Sequence, residues 1–315
     1  GVATAIPAAL PHADRYPDPL CRALRAKLAP HEGIPAESIL CGNGAADLIF
    51  RLAWAAKPRT ALVTAPTFAE YAAALESAGC AVRRHFLQAE VDFAVTDSIL
   101  SSITPEVDMV FLCQPNNPTG QLTPLPLVER ILRRCEACGA LLVVDECFLD
   151  FLPDCDALTA KALLDSKNLL ILKAFTKLYG MAGVRLGYCL CANTALLEAM
   201  QAAGQPWAVS SLAQAAGLAA LDETAYVAQV RALIAQQRPR LTAGLRALGL
   251  RVLDGRANYL LFQGPETLGD ALRQWGVVLR SCSNYPGLDG SWYRTAVRTG
   301  PENDELLKTL AEVLA

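Results

Sequence analysis

Lys173-Ala174-Phe175-Thr176-Lys177-Leu178-Tyr179-Gly180-Met181-Ala182-Gly183-Val184-Arg185-Leu186-Gly187-Tyr188 is the stretch on which the reading of this chain turns. The apolar run Leu169–Leu172 leads into it and Leu186–Leu190 leads out of it. Both runs lack polar alternation, as strands buried on both faces of a mostly parallel sheet do. A lysine held between such a strand and a glycine-rich turn is partly desolvated. Its pKa falls, and its amine becomes able to attack a carbonyl. Taken alone, a solvated surface lysine is the better account of the residue.

Working outward, four more short apolar runs read as strands: Ala61–Ala65, Ala81–Phe86, Met109–Cys113 and Ala140–Val144. Helical patterns fill the intervals at Ala45–Ala56, Phe68–Ser77, Pro126–Ala137 and Thr194–Ala203. This β-then-α rhythm describes a doubly wound α/β unit. It changes after residue 222. Asp222–Leu248 reads as one long helix with Pro239 as a kink. Beyond it, Arg251–Leu253, Asn258–Gln263, Val277–Arg280 and Tyr293–Val297 read as strands, and Glu266–Gln274 and Asn303–Leu314 as helices. The C-terminal part is therefore expected to be a small α+β unit.

An open α/β sheet binds ligands at its strand ends, and three further groups fall there. Cys41-Gly42-Asn43-Gly44-Ala45-Ala46-Asp47 opens a helix whose N-terminus favours an anion. A plain glycine turn capping a helix has the same letters. Gln114-Pro115-Asn116-Asn117-Pro118-Thr119-Gly120 is a rigid turn that can fix an amide. Val144-Asp145-Glu146 ends an apolar run, and acids there are costly to bury without a cationic partner. No His or third acid accompanies them at metal-binding spacing, so Asp145 facing a protonated heterocycle is the better account.

Composition removes alternatives. Among 315 residues, 28 Lys+Arg against 31 Asp+Glu give a net charge of −3, which argues against a nucleic-acid surface. Hydrophobic residues at 53% exclude disorder. His12, His31 and His85 have no metal spacing, and Cys135-Glu-Ala-Cys138 lacks a second pair, so no metal site is expected. Eleven cysteines, an odd number, suit a reducing, cytoplasmic compartment. The longest uncharged run, Ala199–Leu221, is too interrupted by Gln, Ser and Pro to span a membrane.

Asn117, Asp145, Lys177 and Arg185 follow one another at intervals of 28, 32 and 8 residues. With these four groups, nearly the whole chain resembles the fold-type-I pyridoxal-phosphate enzymes of the class I/II aminotransferase superfamily. The resemblance implies an aspartate aminotransferase-like α/β fold, a mostly parallel sheet in a large domain plus a small α+β C-terminal domain. It divides the chain into a segment 1–34 packing on the small domain and a partner subunit, a cofactor domain 35–222, and a linking helix with the small domain 223–315. Residue by residue, Lys177 matches the lysine that binds pyridoxal 5'-phosphate covalently, and Thr176 precedes it in the cofactor site. Asp145 matches the acid that keeps the pyridine nitrogen protonated, and Asn117 the amide on the ring's phenolic oxygen. Arg185 matches the arginine on the cofactor phosphate, Asn43, Gly44 and Ala45 the phosphate cradle, and Phe68 the aromatic stacked on the ring. Tyr16 matches a tyrosine that reaches the neighbouring subunit's cofactor, which implies a homodimer with shared active sites.

Two positions depart from the superfamily pattern. Ala174 stands where many members have a serine on the phosphate. Phe148 stands where aminotransferases commonly have a tyrosine on the cofactor oxygen, and the proton balance there is expected to change. Two groups of the superfamily fit: histidinol-phosphate aminotransferases and the threonine-phosphate decarboxylases of cobalamin synthesis. Arg15-Tyr16-Pro17-Asp18-Pro19, Asp145-Glu146-Cys147-Phe148-Leu149-Asp150-Phe151 and Arg280-Ser281-Cys282-Ser283-Asn284-Tyr285 resemble the decarboxylases. That resemblance implies a phosphorylated amino-acid substrate, with Arg294 on its carboxylate and Arg280 on its phosphate. Arg298 reads as a solvated strand end. The runner-up from another class is a nucleotide- or cofactor-binding protein without catalysis. Relatives carry, ahead of the position of Gly1, a glycine-flanked His and an Asn-x-Asn-Pro turn; neither is among these residues.

Overall fold

A computed structural model describes residues 1–315. The larger of two sheets holds β1 (Ile39–Gly42), β2 (Thr60–Ala65), β3 (Ala81–Phe86), β4 (Met109–Cys113), β5 (Leu141–Asp145), β6 (Leu169–Ala174) and β7 (Gly187–Cys191). Their spatial order is β1-β7-β6-β5-β4-β2-β3. Strands β2 to β6 are parallel; β7 runs antiparallel between β6 and β1. Strand β1 therefore points the same way as β6, and the C-terminal ends of β1, β4, β5 and β6 share one edge with the start of β7.

Period-two alternation sorts the strand side chains into two cores. Val110, Leu112, Leu142, Val144, Leu169 and Ile171 pack on one face with helices Arg22–Glu32, Leu125–Cys138 and Ser211–Ala220. Phe111, Cys113, Val143, Leu170 and Leu172 pack on the other with helices Ala45–Ala56, Glu70–Ser77 and Thr194–Ala203. Apolar residues on both faces are why these runs show no polar alternation. Strand β3 departs from the expectation of double burial: Ala81, Arg83, Arg84 and Phe86 are exposed, because β3 is the sheet's edge and pairs only with β2.

A single helix, Thr224–Ala247, runs through Pro239 to the second sheet. That sheet is antiparallel, with β8 (Arg251–Val252), β9 (Tyr259–Gln263), β10 (Arg280–Ser281) and β11 (Trp292–Ala296) in the order β10-β11-β9-β8. Leu241, Leu245, Leu260, Phe262 and Leu310 form its core. The strand expected at Val277–Arg280 shrinks to Arg280–Ser281, because Val277–Leu279 leave the turn at Gly276 without a ladder partner. Helices Val2–Ala9, Arg22–Glu32 and Ser211–Ala220 and the four-residue β1 are additions to the sequence reading. The uncharged run Ala199–Leu221 is two helices. Ser210 caps the second by accepting the Ala213 N–H at 3.1 Å. No helix is long and apolar enough to cross a membrane.

Candidate active site

The shared strand edge assembles the site. Gly42 is in register with Gly187, Gly187 with Ala174, Leu172 with Asp145, and Asp145 with Cys113. Each chemistry-bearing loop leaves this line of residues. A cavity of about 300 Å³ lies above it, lined among others by Ala45, Phe68, Asn117, Asp145, Phe148, Thr176, Lys177, Arg185, Arg280, Tyr285 and Arg294. Nine of the twelve residues read from the sequence as site residues therefore meet here. Of the other three, Gly44 lies directly behind Arg185, Asn43 precedes it in the same loop, and Tyr16 lies elsewhere.

Lys177 sits in a loop pinned at both ends. The β6–β7 ladder holds Ala174 opposite Gly187, and the Phe175 N–H donates to the Leu186 carbonyl at 3.1 Å. The buried Phe175 ring anchors the loop from below. The Lys177 ammonium lies 5.3 Å from the centroid of the Phe148 ring and forms no ion pair. Desolvation lowers its pKa, and the guanidiniums of Arg294 and Arg185 lower it further. A lysine so placed is readied as a nucleophile towards a carbonyl.

Asp145 is buried at the end of β5 with both oxygens occupied. The Tyr71 hydroxyl donates to Oδ2 at 2.6 Å and the Cys147 N–H to Oδ1 at 3.0 Å. The two donors fix the orientation of the carboxyl group at the cavity wall. Burial beside Asp145 raises the Tyr71 hydroxyl well above the ordinary range, so it stays a donor. The same burial pushes the Cys113 thiol up to about 12 and Cys147 well above its usual value, which leaves Lys177 as the cavity's nucleophile.

Asn117 rests on a braced turn. Gln114 exchanges two hydrogen bonds with the Thr123 backbone, at 2.7 and 2.8 Å. Asn116 donates to the Pro66 carbonyl at 2.9 Å and accepts from Thr67 at 2.8 Å. The Asn117 amide oxygen accepts from Tyr285 at 3.4 Å and from Nη1 of Arg294. Arg294 thereby spans the two sheets. It also lies 5.1 Å over the Tyr259 ring and pairs across the β10–β11 ladder with Arg280. Facing like charges on adjacent strands destabilise a sheet, and neither guanidinium has an acid partner.

Glycine is required at two positions of the cradle. Gly44 has φ +83° and ψ 165° at the start of helix Ala45–Ala56, where a Cβ would meet the Arg185 guanidinium at 2.8 Å. At Gly187 a Cβ would lie 2.6 Å from the Ala45 nitrogen. The first turn of the helix, its free N–H groups and Arg185 thus close on one small space suited to a phosphate. Together with a reactive lysine, a buried carboxylate and an amide, the donors present match what pyridoxal 5'-phosphate needs. Four cations, Lys177, Arg185, Arg280 and Arg294, face the single carboxylate of Asp145.

A second cavity of about 330 Å³ lies behind Ala174–Leu178. Its charges are largely paired with one another: Lys173 with Asp150 at 2.9 Å and Glu32 at 3.5 Å, and Lys161 with Glu32 at 2.8 Å. Four acids, Glu32, Asp150, Asp156 and Glu223, line it against Lys161, Lys173 and Arg231, so it offers no surplus of cations to an anionic ligand, and the chemistry belongs to the first.

Tyr71, Tyr285, Cys147 and Tyr259 are site residues that the sequence reading did not assign. For Tyr71 a signal existed: it follows Phe68 by three, which puts both on one side of a helical turn. The two rings meet edge to face at 5.5 Å. Arg298 pairs with Glu302 at 3.1 Å on the surface.

These features define an enzyme class that uses an electrophilic cofactor held by a lysine. The sequence model of the family "Aminotransferase class I and II" matches residues 4–311, and the chain belongs to that family. A threonine-phosphate decarboxylase of Salmonella typhimurium is 39% identical over 96% of this chain and 84% of its own. A histidinol-phosphate aminotransferase of Desulfitobacterium hafniense is 35% identical over the same shares. The crystal structure of histidinol-phosphate aminotransferase from Clostridium acetobutylicum superposes with a TM-score of 0.93 at 26% identity, covering 99% of this chain and 94% of that one. The fold is aspartate aminotransferase-like, and the protein is a pyridoxal 5'-phosphate enzyme.

Proposed function

We propose that this chain decarboxylates L-threonine O-3-phosphate to (R)-1-amino-2-propanol O-2-phosphate, a step towards cobalamin. The observation that carries this is the Arg280–Arg294 pair, two unpaired guanidiniums on one ladder facing Lys177 across the cavity. A substrate with both a carboxylate and a phosphate satisfies the two cations, each in the bidentate geometry that guanidinium favours. The 39% identity to a threonine-phosphate decarboxylase supports the same choice.

When bound, the cofactor supplies an electron sink for the bond broken at the substrate's α-carbon. The protein's residues do the rest. Arg294 holds the carboxylate and is itself oriented by Asn117. Arg280, steadied by Asn284 at 3.2 Å and lying 6.0 Å from the Tyr285 ring, holds the phosphate. Gripping the substrate at both ends would fix which α-carbon bond is presented for cleavage. The Lys177 ammonium, made a better acid by its lowered pKa, gives a proton to the α-carbon and is left as the neutral amine. The Phe148 side chain offers no hydroxyl near Lys177.

The second reading, a histidinol-phosphate aminotransferase, is favoured by the 35% identical relative. Incubation with L-threonine O-3-phosphate separates the two. Release of carbon dioxide, lost in Lys177→Ala, is expected. Transfer from histidinol phosphate to 2-oxoglutarate without carbon dioxide would overturn the proposal. The proposed homodimer is supported by Tyr16, which is 80% exposed and stacks on Trp207 at 4.5 Å, outside the cavity. Sedimentation at the mass of one chain would exclude it.

A further inference from the structure

Helix Ala45–Ala56 presents an electrostatic conflict. Its first turn faces the phosphate space beside Arg185, yet that turn also carries a carboxylate, Asp47. Two anions then compete for one helix N-terminus. Asp47 is bound to the cradle itself: its Oδ2 accepts the Asn43 N–H at 2.8 Å and lies 2.9 Å from where a Cβ on Gly42 would be. It cannot simply turn away without releasing the loop.

One turn further along, Arg51 resolves the conflict. Its Nε donates to Asp47 Oδ1 at 2.9 Å, and its Nη2 lies 2.9 Å from Oδ2 in an ion contact without hydrogen-bond geometry. The Arg51 side chain is only 3% exposed, against 25% for Asp47. The space for it exists because Gly204, after helix Thr194–Ala203, has no side chain: a Cβ there would fall 2.2 Å from the guanidinium carbon. A buried arginine is costly unless its charge is used.

We propose that Arg51 is a positioning residue for the cofactor phosphate. It fixes the Asp47 carboxylate on the Asn43 N–H, and it cancels the carboxylate's charge so that the helix start and Arg185 remain free for the incoming dianion. The inference holds whichever reaction the enzyme performs. It does rest on the phosphate lying at the Gly44–Ala45 turn.

The test compares the affinity of the apoprotein for pyridoxal 5'-phosphate with that for pyridoxal, which lacks the phosphate, by equilibrium dialysis. Arg51→Gln is expected to weaken phosphate-form binding at least tenfold and to leave pyridoxal binding unchanged. Adding Asp47→Asn to Arg51→Gln should restore most of the loss, since no charge then remains to be cancelled. Equal losses for both ligands, or no rescue by the second substitution, would overturn the proposal and leave Arg51 a packing residue. If Arg51→Gln does not fold, Arg51→Lys decides: retention of affinity within about threefold supports charge cancellation, and a tenfold loss overturns it. Arg185→Gln is the control for the phosphate's location. Should it not reduce the preference for the phosphate form, the cradle itself is misplaced; should it do so while Arg51→Gln does not, only the role of Arg51 fails.

Discussion

The buried ion cluster behind the lysine loop allows a stability effect to be worked out with its sign. Glu32 ends helix Arg22–Glu32, and its side chain is 2% exposed. It accepts from Tyr188 at 2.5 Å and from Lys161 at 2.8 Å, and Lys173 lies 3.5 Å away. Burial opposes its charge, but Lys173, Lys161 and Tyr188 together hold its pKa at about 2. A carboxyl depressed in the folded state contributes stability above its unfolded pKa and loses it as pH falls through the folded value. At about 1.4 kcal/mol per unit, a shift from 4.5 to about 2 contributes about 3 kcal/mol at pH 6. By pH 3, about 2 kcal/mol of that is gone. Glu146 behaves oppositely: burial lifts it to about 7, so it costs stability as pH rises from about 4.5 to 7. Comparing wild type with Glu32→Gln isolates the first group. Urea unfolding of the apoprotein, followed through the buried Trp292, gives the stability gap at each pH. The gap should narrow by about 2 kcal/mol between pH 6 and pH 3. A gap that stays constant, or widens in acid, would refute the assignment of this network as the source of the depression.

Two further outcomes follow from the site. Tyr71→Phe removes the donor to Asp145 Oδ2 inside a fully buried contact, and should cost about 1.5–3 kcal/mol of apoprotein stability together with turnover; unchanged turnover would show that Asp145 does not depend on it. Gly187→Ala drives a methyl against the Ala45 nitrogen and should cost about 1–3 kcal/mol through overpacking, read as lost stability or weaker cofactor binding by dialysis; a variant normal in both would mean the cradle is not held against β7.

Much of this was legible because strand ends are punctuated locally. The apolar runs at Met109–Cys113 and Ala81–Phe86 match β4 and β3 residue for residue, and Leu169–Leu172 lies within β6. Proline follows β4 beside Asn117, glycine closes the loop after β6 that holds Lys177, and Asp145 itself ends the apolar run of β5, so the three stood out together by their spacing. What stayed hidden depends on partners distant in sequence. The exposure of β3 follows from its place at the sheet edge and agrees with Arg83, Arg84 and His85, which reading Ala81–Phe86 as an apolar run overlooks. Strand β1 is four residues long, too short for periodicity to show, and is defined by its ladder with β7. Tyr71 becomes a site residue only when β5 brings Asp145 beside it, 74 positions later.

The sequence by itself pointed to the chemistry: a lysine, an acid, an amide and a phosphate turn, ambiguous singly and specific through their combined spacing. Those signals are short-range, and a linear chain displays them. Only the tertiary structure decided how they act together. The antiparallel insertion of β7 places Gly187 against Gly44–Ala45, the β10–β11 register sets Arg280 beside Arg294, and Arg294 reaches across to Asn117. The lowered pKa of Lys177 draws on that convergence, because the Arg294 guanidinium joins desolvation and Arg185 of the same loop only once the two sheets close on one cavity.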